Sequence, residues 1–193
     1  LDGILFATCT PDMPIPSSAC LLQDKIQAIR AWAMDVNAAC SGFQHALTLG
    51  HAMISSGQAE KILVVGADVL SPITDFDDRK SCILFGDGAG AAILQREDIN
   101  TGRGILASQL GSNGQLAELF QMRAHSEKMQ MKGSEIFKSS VRNMVDVTEK
   151  ILAEAKITID NVQWVIPHQA NLRILEALAR KLYIPMEKFI LNI

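Results

Sequence analysis

The sequence predicts a layered α/β protein, because apolar runs typical of strands alternate with segments whose apolar residues recur at helical spacing. The clearest strand is KILVVGADV, residues 61–69, a nearly continuous apolar run of the kind found in strands buried on both faces. The chain has 193 residues, of which 48% are hydrophobic, enough for one substantial core or for two small halves that share one.

The first part of the chain predicts strands and helices in alternation, up to a glycine-rich segment. Pro16 and Ser17 mark the entry of the first helix, and Gly57 ends the second. In order, the elements are the strand LDGILFATC, the helix PSSACLLQDKIQAI, the strand AWAMDV, the helix after Cys40, the strand KILVVGADV and the strand GAGAAILQR.

The second part of the chain begins with GRGILASQLG, which predicts a strand antiparallel to GAGAAILQR through a connection near residues 100–102. The polar stretch RAHSEKMQMKGS follows it. The remaining elements are a long helix from Glu135 to Ala155, the buried strand NVQWVIPH, the helix QANLRILEALARKL and the last strand KFILNI.

A faint repeat underlies this order. Residues 1–36 and 160–193 both read strand, short turn, helix, strand, at nearly the same length. Both turns follow the carboxyl end of a strand, where open α/β sheets bind their ligands. If the two stretches are duplicates, Ile193 corresponds to Val36, and the chain stops just before the counterpart of the turn that holds Cys40.

Cys40 lies in DVNAACSGFQHAL, residues 35–47, where a predicted strand turns into a predicted helix among small side chains. The first N–H groups of a helix lack partners within it and carry about half a positive charge, which favours a thiolate over a thiol. A free cysteine, however, is commonly a small buried hydrophobe. The local pattern leaves both interpretations open, an activated nucleophile and a core residue.

His168 ends the predicted strand WVIPH just before a helix, at the place that corresponds to the turn after Cys9 in the repeat. A lone histidine is more often structural than catalytic, but here a second reactive residue type lies at the equivalent end of the other half's sheet. We therefore interpret His168 as a candidate catalytic residue. The other three histidines are interpreted as structural or solvent-exposed: His45 and His51 in the helix after Cys40, and His125 in a polar loop.

Composition and spacing argue against several classes of protein. The net charge of -3 gives no electrostatic reason to expect nucleic acid binding, and no apolar run approaches the ~20 residues of a membrane span. No spacing of His, Cys and Asp resembles a metal-ligand set. The cysteines show neither CxxC spacing nor a compact framework, which favours a reduced, cytoplasmic compartment. These cysteines are Cys9, Cys20, Cys40 and Cys82.

The glycine-rich segment before the end of the first part of the chain has a structural and a functional interpretation. FGDGAGAAIL, residues 85–94, is a weak candidate for a phosphate loop, because it lacks GK[ST] and an apolar strand follows the glycines. We interpret it as a tight turn in which backbone approaches backbone, with Phe85 free to line a pocket.

The helix predicted from Ala170 to Leu182 is amphipathic, and Arg173, Arg180 and Lys181 gather away from its apolar stripe. These charges form either an ordinary solvated face or a surface for an acidic partner. The stripe consists of Leu172, Leu175, Leu178, Ala179 and Leu182.

Five motifs occur in the order in which β-ketoacyl-acyl-carrier-protein synthase III has them, and the chain resembles this family from Leu1 to Ile193. The resemblance implies a thiolase-like fold, in which duplicated α/β halves stack as α-β-α-β-α layers, with residues 1–100 and 101–193 as parts of the two halves. It also implies an acyltransferase that starts type II fatty-acid synthesis. The motifs are DVNAACSGF, VVGADVLS, DDRKSCILFGDGAGAAIL, MKGSEIFK and VIPHQANLRI.

The resemblance also implies roles for individual residues. Cys40 matches the nucleophile that takes an acyl group from acyl-CoA, which is a substrate and not a cofactor. His168 matches the histidine that helps to decarboxylate malonyl-acyl-carrier protein. Phe85 matches the acyl pocket, and Ile15 matches a residue lent to a neighbouring subunit, which implies a homodimer. The positions that match the channel for CoA or the phosphopantetheine arm are Arg79, Gly133, Phe137 and Asn171. Those that match the basic patch for carrier protein are Lys138, Arg173, Arg180 and Lys181.

Three features depart from the family pattern. The third catalytic residue, an asparagine in a Gly-Asn-Thr-Ser motif, and the Gly-rich loop of the oxyanion hole would follow Ile193. The first strands of the N-terminal half, with a tryptophan and an arginine that grip adenine, would precede Leu1. The connection between Met122 and Met129 is shorter than in the family. We therefore expect the intact polypeptide to extend beyond both ends.

Two other interpretations stay open. One is another thiolase-fold condensing enzyme, such as a type III polyketide synthase or a hydroxymethylglutaryl-CoA synthase, although the contexts CSGF and HQAN argue against both. The other is a non-catalytic fragment or binding module that keeps the fold without turnover. Transfer of an acyl group to Cys40 distinguishes the second from an enzyme.

Overall fold

The computed structural model describes residues 1–79, 81–98, 101–122 and 127–193 of the chain. The predicted loop position of His125 lies outside these residues. Contacts divide the chain into two compact units. Unit 1 is Leu1–Leu70 with Gly86–Ile105, and unit 2 is Ser71–Phe85 with Leu106–Ile193.

Unit 1 is built on a four-stranded sheet in the order β2-β1-β3-β4. Strands β1, β2 and β3 are parallel, and β4 runs antiparallel to β3. The carboxyl ends of the three parallel strands therefore meet at one edge, which we call the carboxyl edge. The strands are β1 (Gly3–Ala7), β2 (Trp32–Val36), β3 (Lys61–Val69) and β4 (Asp87–Gln95), and all four were predicted.

Helix α1, Ser18–Lys25, connects β1 to β2. Ser17 is its N-cap, as predicted, and both carboxylate oxygens of Asp35 accept hydrogen bonds from the first two N–H groups of the helix. The helix ends before the predicted Ile29, because Gln27 takes up a left-handed backbone with φ 56°. Both carboxylate oxygens of Asp35 therefore bind the start of α1.

Helix α2, Gly42–Ser55, packs its apolar face on the sheet and forms one apolar core of unit 1, separate from the buried cluster of Ile4, Ala19 and Ala31. Gly50 permits the close approach, because an added Cβ would lie 2.9 Å from the Leu94 side chain and 3.4 Å from that of Leu5. The buried residues of this core are Leu5, Ala7, Ala46, Ala59, Ile62 and Val64.

The predicted strand GRGILASQLG does not form, since residues 103–112 have no regular structure. Gly102 and Gly104 have φ angles of 64° and 127°, which break the extended backbone that a hairpin strand requires. The tight glycine turn predicted before β4 is also wrong. Gly88 and Gly90 lie within the strand itself, and an added Cβ at either would meet no atom within 4 Å.

Unit 2 contains two helices, α3 (Gly133–Ala155) and α4 (Leu172–Leu182), and a small antiparallel pair of strands. The pair consists of β5 (Phe120–Gln121) and β6 (Gln130–Met131). Both helices were predicted. No helix among the described residues is long and apolar enough to span a membrane.

The predicted strands NVQWVIPH and KFILNI meet at a single parallel bridge between Val165 and Phe189. Val165 and Phe189 pack in the apolar cluster under α4, whereas Trp164 and Ile166 alternate with Val165 and are 54% and 74% exposed. The prediction of a buried strand is therefore wrong here. The bridge, with α4 between its two sides, has the same connection as β1, α1 and β2.

Helix α4 is amphipathic as predicted, but its buried face includes Ile174 in place of the predicted Leu172. Leu172 belongs to the predicted stripe and is 44% exposed, because it starts the helix at the end farthest from the cluster around Leu182. The buried residues of the helix are Ile174, Leu175, Leu178, Ala179 and Leu182.

Replacing Leu178 with alanine is expected to lower the free energy of unfolding by about 2–5 kcal/mol, because the side chain is 2% exposed and packs with Val165 and Phe189. Leu172→Ala, the same truncation on the same helix, is expected to cost less than about 0.5 kcal/mol. Denaturant titration followed by circular dichroism measures both. Equal losses in the two variants would contradict the packing described.

Candidate active site

Cys40 lies in a single 3-10 turn, Ala39–Ser41, which links β2 to α2 and which we call the Cys40 turn. Ala39 has a φ of 45°, and this left-handed conformation lets the chain reverse from strand into helix. Cys40 is exposed to solvent. Its predicted position at a strand-to-helix turn is confirmed, and the interpretation as a buried core residue is excluded.

Gly42 brings the Cys40 turn to the carboxyl edge of the sheet. It is the first residue of α2 and is buried, and an added Cβ would lie 3.2 Å from the Cβ of Ala7 and 3.8 Å from the carbonyl oxygen of Val36. Such a Cβ contact is tighter than most, so a larger residue would push the helix away. The helix that follows Cys40 therefore starts directly against the end of β1.

The residues that follow β1 form a bend, residues 8–10, held by one carboxylate. Oδ1 of Asp68 accepts hydrogen bonds from the Thr8 hydroxyl at 3.0 Å, the Cys9 N–H at 2.8 Å, and the N–H and hydroxyl of Thr10 at 3.2 and 3.0 Å. Sequence reasoning missed Asp68. The available signal was a carboxylate near the carboxyl end of a predicted buried strand.

The pKa of the Cys40 thiol is raised, mainly because surrounding protein desolvates the sulfur, although part of the residue faces solvent. Its own backbone N–H acts in the opposite direction, and the Asp68 charge raises the pKa further. Desolvation and the same carboxylate raise the pKa of Cys9 to about 12. The backbone N–H thus favours the thiolate, as the helix start predicts, but desolvation outweighs it in the free chain, so Cys40 is a thiol near neutral pH.

His168 lies in unit 2, between the Val165 bridge and α4, and is exposed. Desolvation lowers the pKa of its imidazole below the ordinary 6.5, so the ring is neutral near pH 7. The neighbouring Gln169 ties this segment to the end of the chain, because its amide donates to the Ile190 carbonyl at 3.3 Å and accepts from the Asn192 N–H at 2.9 Å.

Asn171 is the N-cap of α4, and its side-chain oxygen accepts a hydrogen bond from the Arg173 N–H at 2.9 Å. This cap accounts for the amino acid type on structural grounds, so the predicted contact with substrate remains a prediction.

The other predicted substrate positions of unit 2 have varied surroundings. Phe85 stacks on Phe120, with ring centroids 5.8 Å apart and planes 5° from parallel. Arg79 is exposed, Gly133 is the first residue of α3, and Phe137 is half-buried one turn later. Their predicted part in a substrate channel stays a prediction.

Ile15, in unit 1, precedes α1 and is 86% exposed. Its predicted contact with a second subunit stays a prediction.

The four predicted basic residues are exposed in unit 2. Arg180 also lines a concave surface of about 610 Å³ at the end of α4, together with Glu176, Tyr183 and Met186. In the described ranges, no group of three or more His, Cys, Asp or Glu side chains could hold a metal ion. The basic residues are Lys138, Arg173, Arg180 and Lys181.

Fold and site together are those of a class of α/β proteins with a thiolase-like fold, in which a cysteine lies where a strand turns into a helix. Solved structures share the fold. One is 3-oxoacyl-[acyl-carrier-protein] synthase III from Aquifex aeolicus VF5, with a TM-score of 0.95 and 45% identity over 100% of this chain and 61% of that chain. Another is β-ketoacyl-[acyl-carrier-protein] synthase III from Thermus thermophilus, with a TM-score of 0.95 and 35% identity over 100% and 62%.

The family profile of 3-oxoacyl-[acyl-carrier-protein (ACP)] synthase III matches residues 34–114, and the profile of its C-terminal part matches residues 152–193. The chain belongs to this family. A curated relative, β-ketoacyl-[acyl-carrier-protein] synthase III from Geobacillus kaustophilus, is 45% identical over 97% of this chain and 59% of its own length. The chain thus spans about three fifths of the length of such relatives.

Proposed function

We propose that the protein condenses acyl-CoA, acetyl-CoA in particular, with malonyl-acyl-carrier protein and so starts type II fatty-acid synthesis. The observation that carries the proposal is the exposed Cys40 in a strand-to-helix turn at the carboxyl edge, in a chain of this family. The enzyme works in the cytoplasm as a homodimer, with Ile15 reaching the partner, and requires no cofactor beyond its substrates. Residues 1–100 and 101–193 belong to the two halves of a duplicated fold.

In the first half-reaction, the sulfur of Cys40 attacks the carbonyl carbon of the acyl-CoA thioester. A new C–S bond forms to Cys40, the bond to the CoA sulfur breaks, and the thiol proton ends on the departing CoA. Because the pKa of Cys40 is raised, the proton leaves as the attack occurs rather than beforehand. The N–H groups at the start of α2 stabilise the negative charge that develops.

In the second half-reaction, malonyl-acyl-carrier protein loses CO₂, and the electron pair of the broken C–C bond moves onto the thioester as an enolate. The neutral imidazole of His168 donates its N–H to the enolate oxygen, an interaction worth about 3–4 kcal/mol. The enolate carbon then attacks the acyl group on Cys40. Cys40 leaves as a thiolate and takes a proton from solvent, and β-ketoacyl-carrier protein is released.

Substrate recognition uses the remaining predicted residues. Phe85, backed by Phe120, forms a wall of the acyl pocket. The phosphopantetheine arm of CoA or carrier protein runs past Arg79, Gly133, Phe137 and Asn171. The acidic carrier protein docks on Lys138, Arg173, Arg180 and Lys181.

The extender substrate separates this proposal from other condensing enzymes of the same fold. With acetyl-CoA as primer, the intact protein is expected to form β-ketoacyl product from malonyl-carrier protein at least about tenfold faster than from malonyl-CoA. Faster condensation with malonyl-CoA would favour a polyketide-synthase-like reaction instead.

Reversing Arg173 and Arg180 to glutamate is expected to raise the KM for malonyl-carrier protein by about tenfold and to leave the KM for acyl-CoA nearly unchanged. Exposed charges act mainly on encounter, so the effect should shrink as salt rises. The double variant of Lys25 and Arg30 to glutamate changes the net charge equally in unit 1 and serves as the control. An unchanged KM for malonyl-carrier protein would show that the two arginines belong to an ordinary solvated face.

A further inference from the structure

Asp68 closes a hydrogen-bond network at the carboxyl edge of unit 1. Its Oδ1 receives four hydrogen bonds from the 8–10 bend, and the Thr10 hydroxyl in turn accepts from the Val69 N–H at 2.8 Å. The Thr8 hydroxyl also accepts from the Thr10 N–H at 3.0 Å. One carboxylate oxygen therefore fixes the bend to the end of β3.

The same bend adjoins the Cys40 turn. The Thr8 N–H donates to the carbonyl of Val36, the last residue of β2, at 3.1 Å. On the other side of the Cys40 turn, the missing side chain of Gly42 lets α2 rest against Ala7, just before the bend. The bend and the Cys40 turn are thus held together at both ends.

We propose that Asp68 is a positioning residue for Cys40. Its oxygen fixes the 8–10 bend against the Cys40 turn, and its negative charge opposes ionisation of the sulfur. This inference rests on the proposed function of Cys40 as the nucleophile and adds a residue that positions it.

The electrostatics of unit 1 support the assignment. Desolvation is the largest reason for the raised pKa of both Cys40 and Cys9, and the Asp68 charge raises each pKa further. Two other titratable side chains near the Cys40 turn have partners of their own. Asp35 on β2 binds the start of α1, and Nδ1 of His45 on α2 lies 2.9 Å from the Ser41 carbonyl oxygen.

The test measures how fast iodoacetamide alkylates Cys40 as a function of pH. Trypsin releases Cys40 in the peptide 31–61, which contains no other cysteine, so mass spectrometry reads this thiol alone. The variants are Asp68→Asn, whose amide oxygen still accepts from the bend, and Asp68→Ala, which removes both oxygen and charge. Glu60→Gln removes the same charge beside the opposite end of β3 and is the control.

We expect Asp68→Asn to lower the midpoint of the alkylation profile, because a nearby negative charge is lost, and to keep acyl transfer within about threefold of wild type. Asp68→Ala should show the same pH shift and lose about tenfold or more in acyl transfer. Glu60→Gln should match wild type in both measurements.

An unchanged midpoint in Asp68→Asn would overturn the charge effect, and that variant keeps the bend's acceptor, so the result stands even if the alanine variant folds poorly. Equal acyl transfer in Asp68→Ala and wild type would overturn the positioning effect. Alkylation needs no acyl-CoA. Failure of the proposed function, seen as acylation of a Cys40→Ser protein, is therefore distinguishable from failure of this inference.

Discussion

Cys40→Ser is expected to abolish the acyl-enzyme, with the rate of acyl transfer from acetyl-CoA falling by at least about 10³-fold. Serine keeps the size of the side chain and its place in the Cys40 turn, but its hydroxyl is a far weaker nucleophile than sulfur. Intact-mass spectrometry after incubation with acetyl-CoA measures the effect, because each acylated protein gains the mass of one acetyl group.

The other cysteines supply matched controls for this experiment. Serine at each of these positions is expected to leave acylation in place, since Cys20 lies on α1 and Cys82 lies in unit 2. Cys9 is the most demanding control, because it neighbours Asp68 and its pKa of about 12 makes it a poor nucleophile. Full acylation of the Cys40→Ser protein would refute the assignment. The control set is Cys9→Ser, Cys20→Ser and Cys82→Ser.

His168→Ala is expected to slow decarboxylation of malonyl-carrier protein by about 10²–10³-fold and to leave acyl transfer to Cys40 nearly intact. The reason is that the two half-reactions use different groups, and only the second develops charge on the enolate oxygen. Release of labelled CO₂ measures decarboxylation, and formation of the acyl-enzyme measures acyl transfer. An equal loss of both would mean that His168 activates the thiol or supports the fold.

The pH dependence of decarboxylation follows from the state of His168. Desolvation lowers the pKa of this residue below 6.5, so the neutral form persists to lower pH than in a free imidazole. The contribution of His168 to the decarboxylation rate should therefore be lost as pH falls, with a midpoint below 6.5. The difference in rate between wild type and His168→Ala, plotted against pH, isolates this contribution.

Much of the fold could be predicted because local patterns and tertiary packing agree in those segments. KILVVGADV has no interruption in its apolar run and forms β3 over the same residues. Ser17 and Asn171 are good N-caps, and both helices begin directly after them.

The wrong predictions occur where an apolar run does not indicate which element it would pack against. GRGILASQLG has apolar residues, but the left-handed backbone of Gly102 and Gly104 interrupts an extended strand there. In NVQWVIPH, only Val165 points into an apolar cluster. Periodicity indicates what a segment could bury, and the neighbouring elements decide what it does bury.

The candidate site also has one part that could be predicted from the sequence and one part that could not. The turn around Cys40 is local and could be predicted from the sequence between Val36 and Gly42. Asp68 could not, because its partners in the 8–10 bend are 58 to 60 residues away in the chain. The acidity of Cys40 was predicted from the helix start alone, and desolvation together with a distant carboxylate reversed its direction.

The most direct test follows a labelled acetyl group through a single turnover. The intact protein is mixed with labelled acetyl-CoA, freed of excess label, and then supplied with malonyl-carrier protein. The account predicts that the label appears first on the tryptic peptide 31–61, at Cys40, and then leaves it at the rate at which labelled β-ketoacyl-carrier protein forms. Labelled product formed without label on that peptide, or label that stays there when malonyl-carrier protein is added, would contradict it.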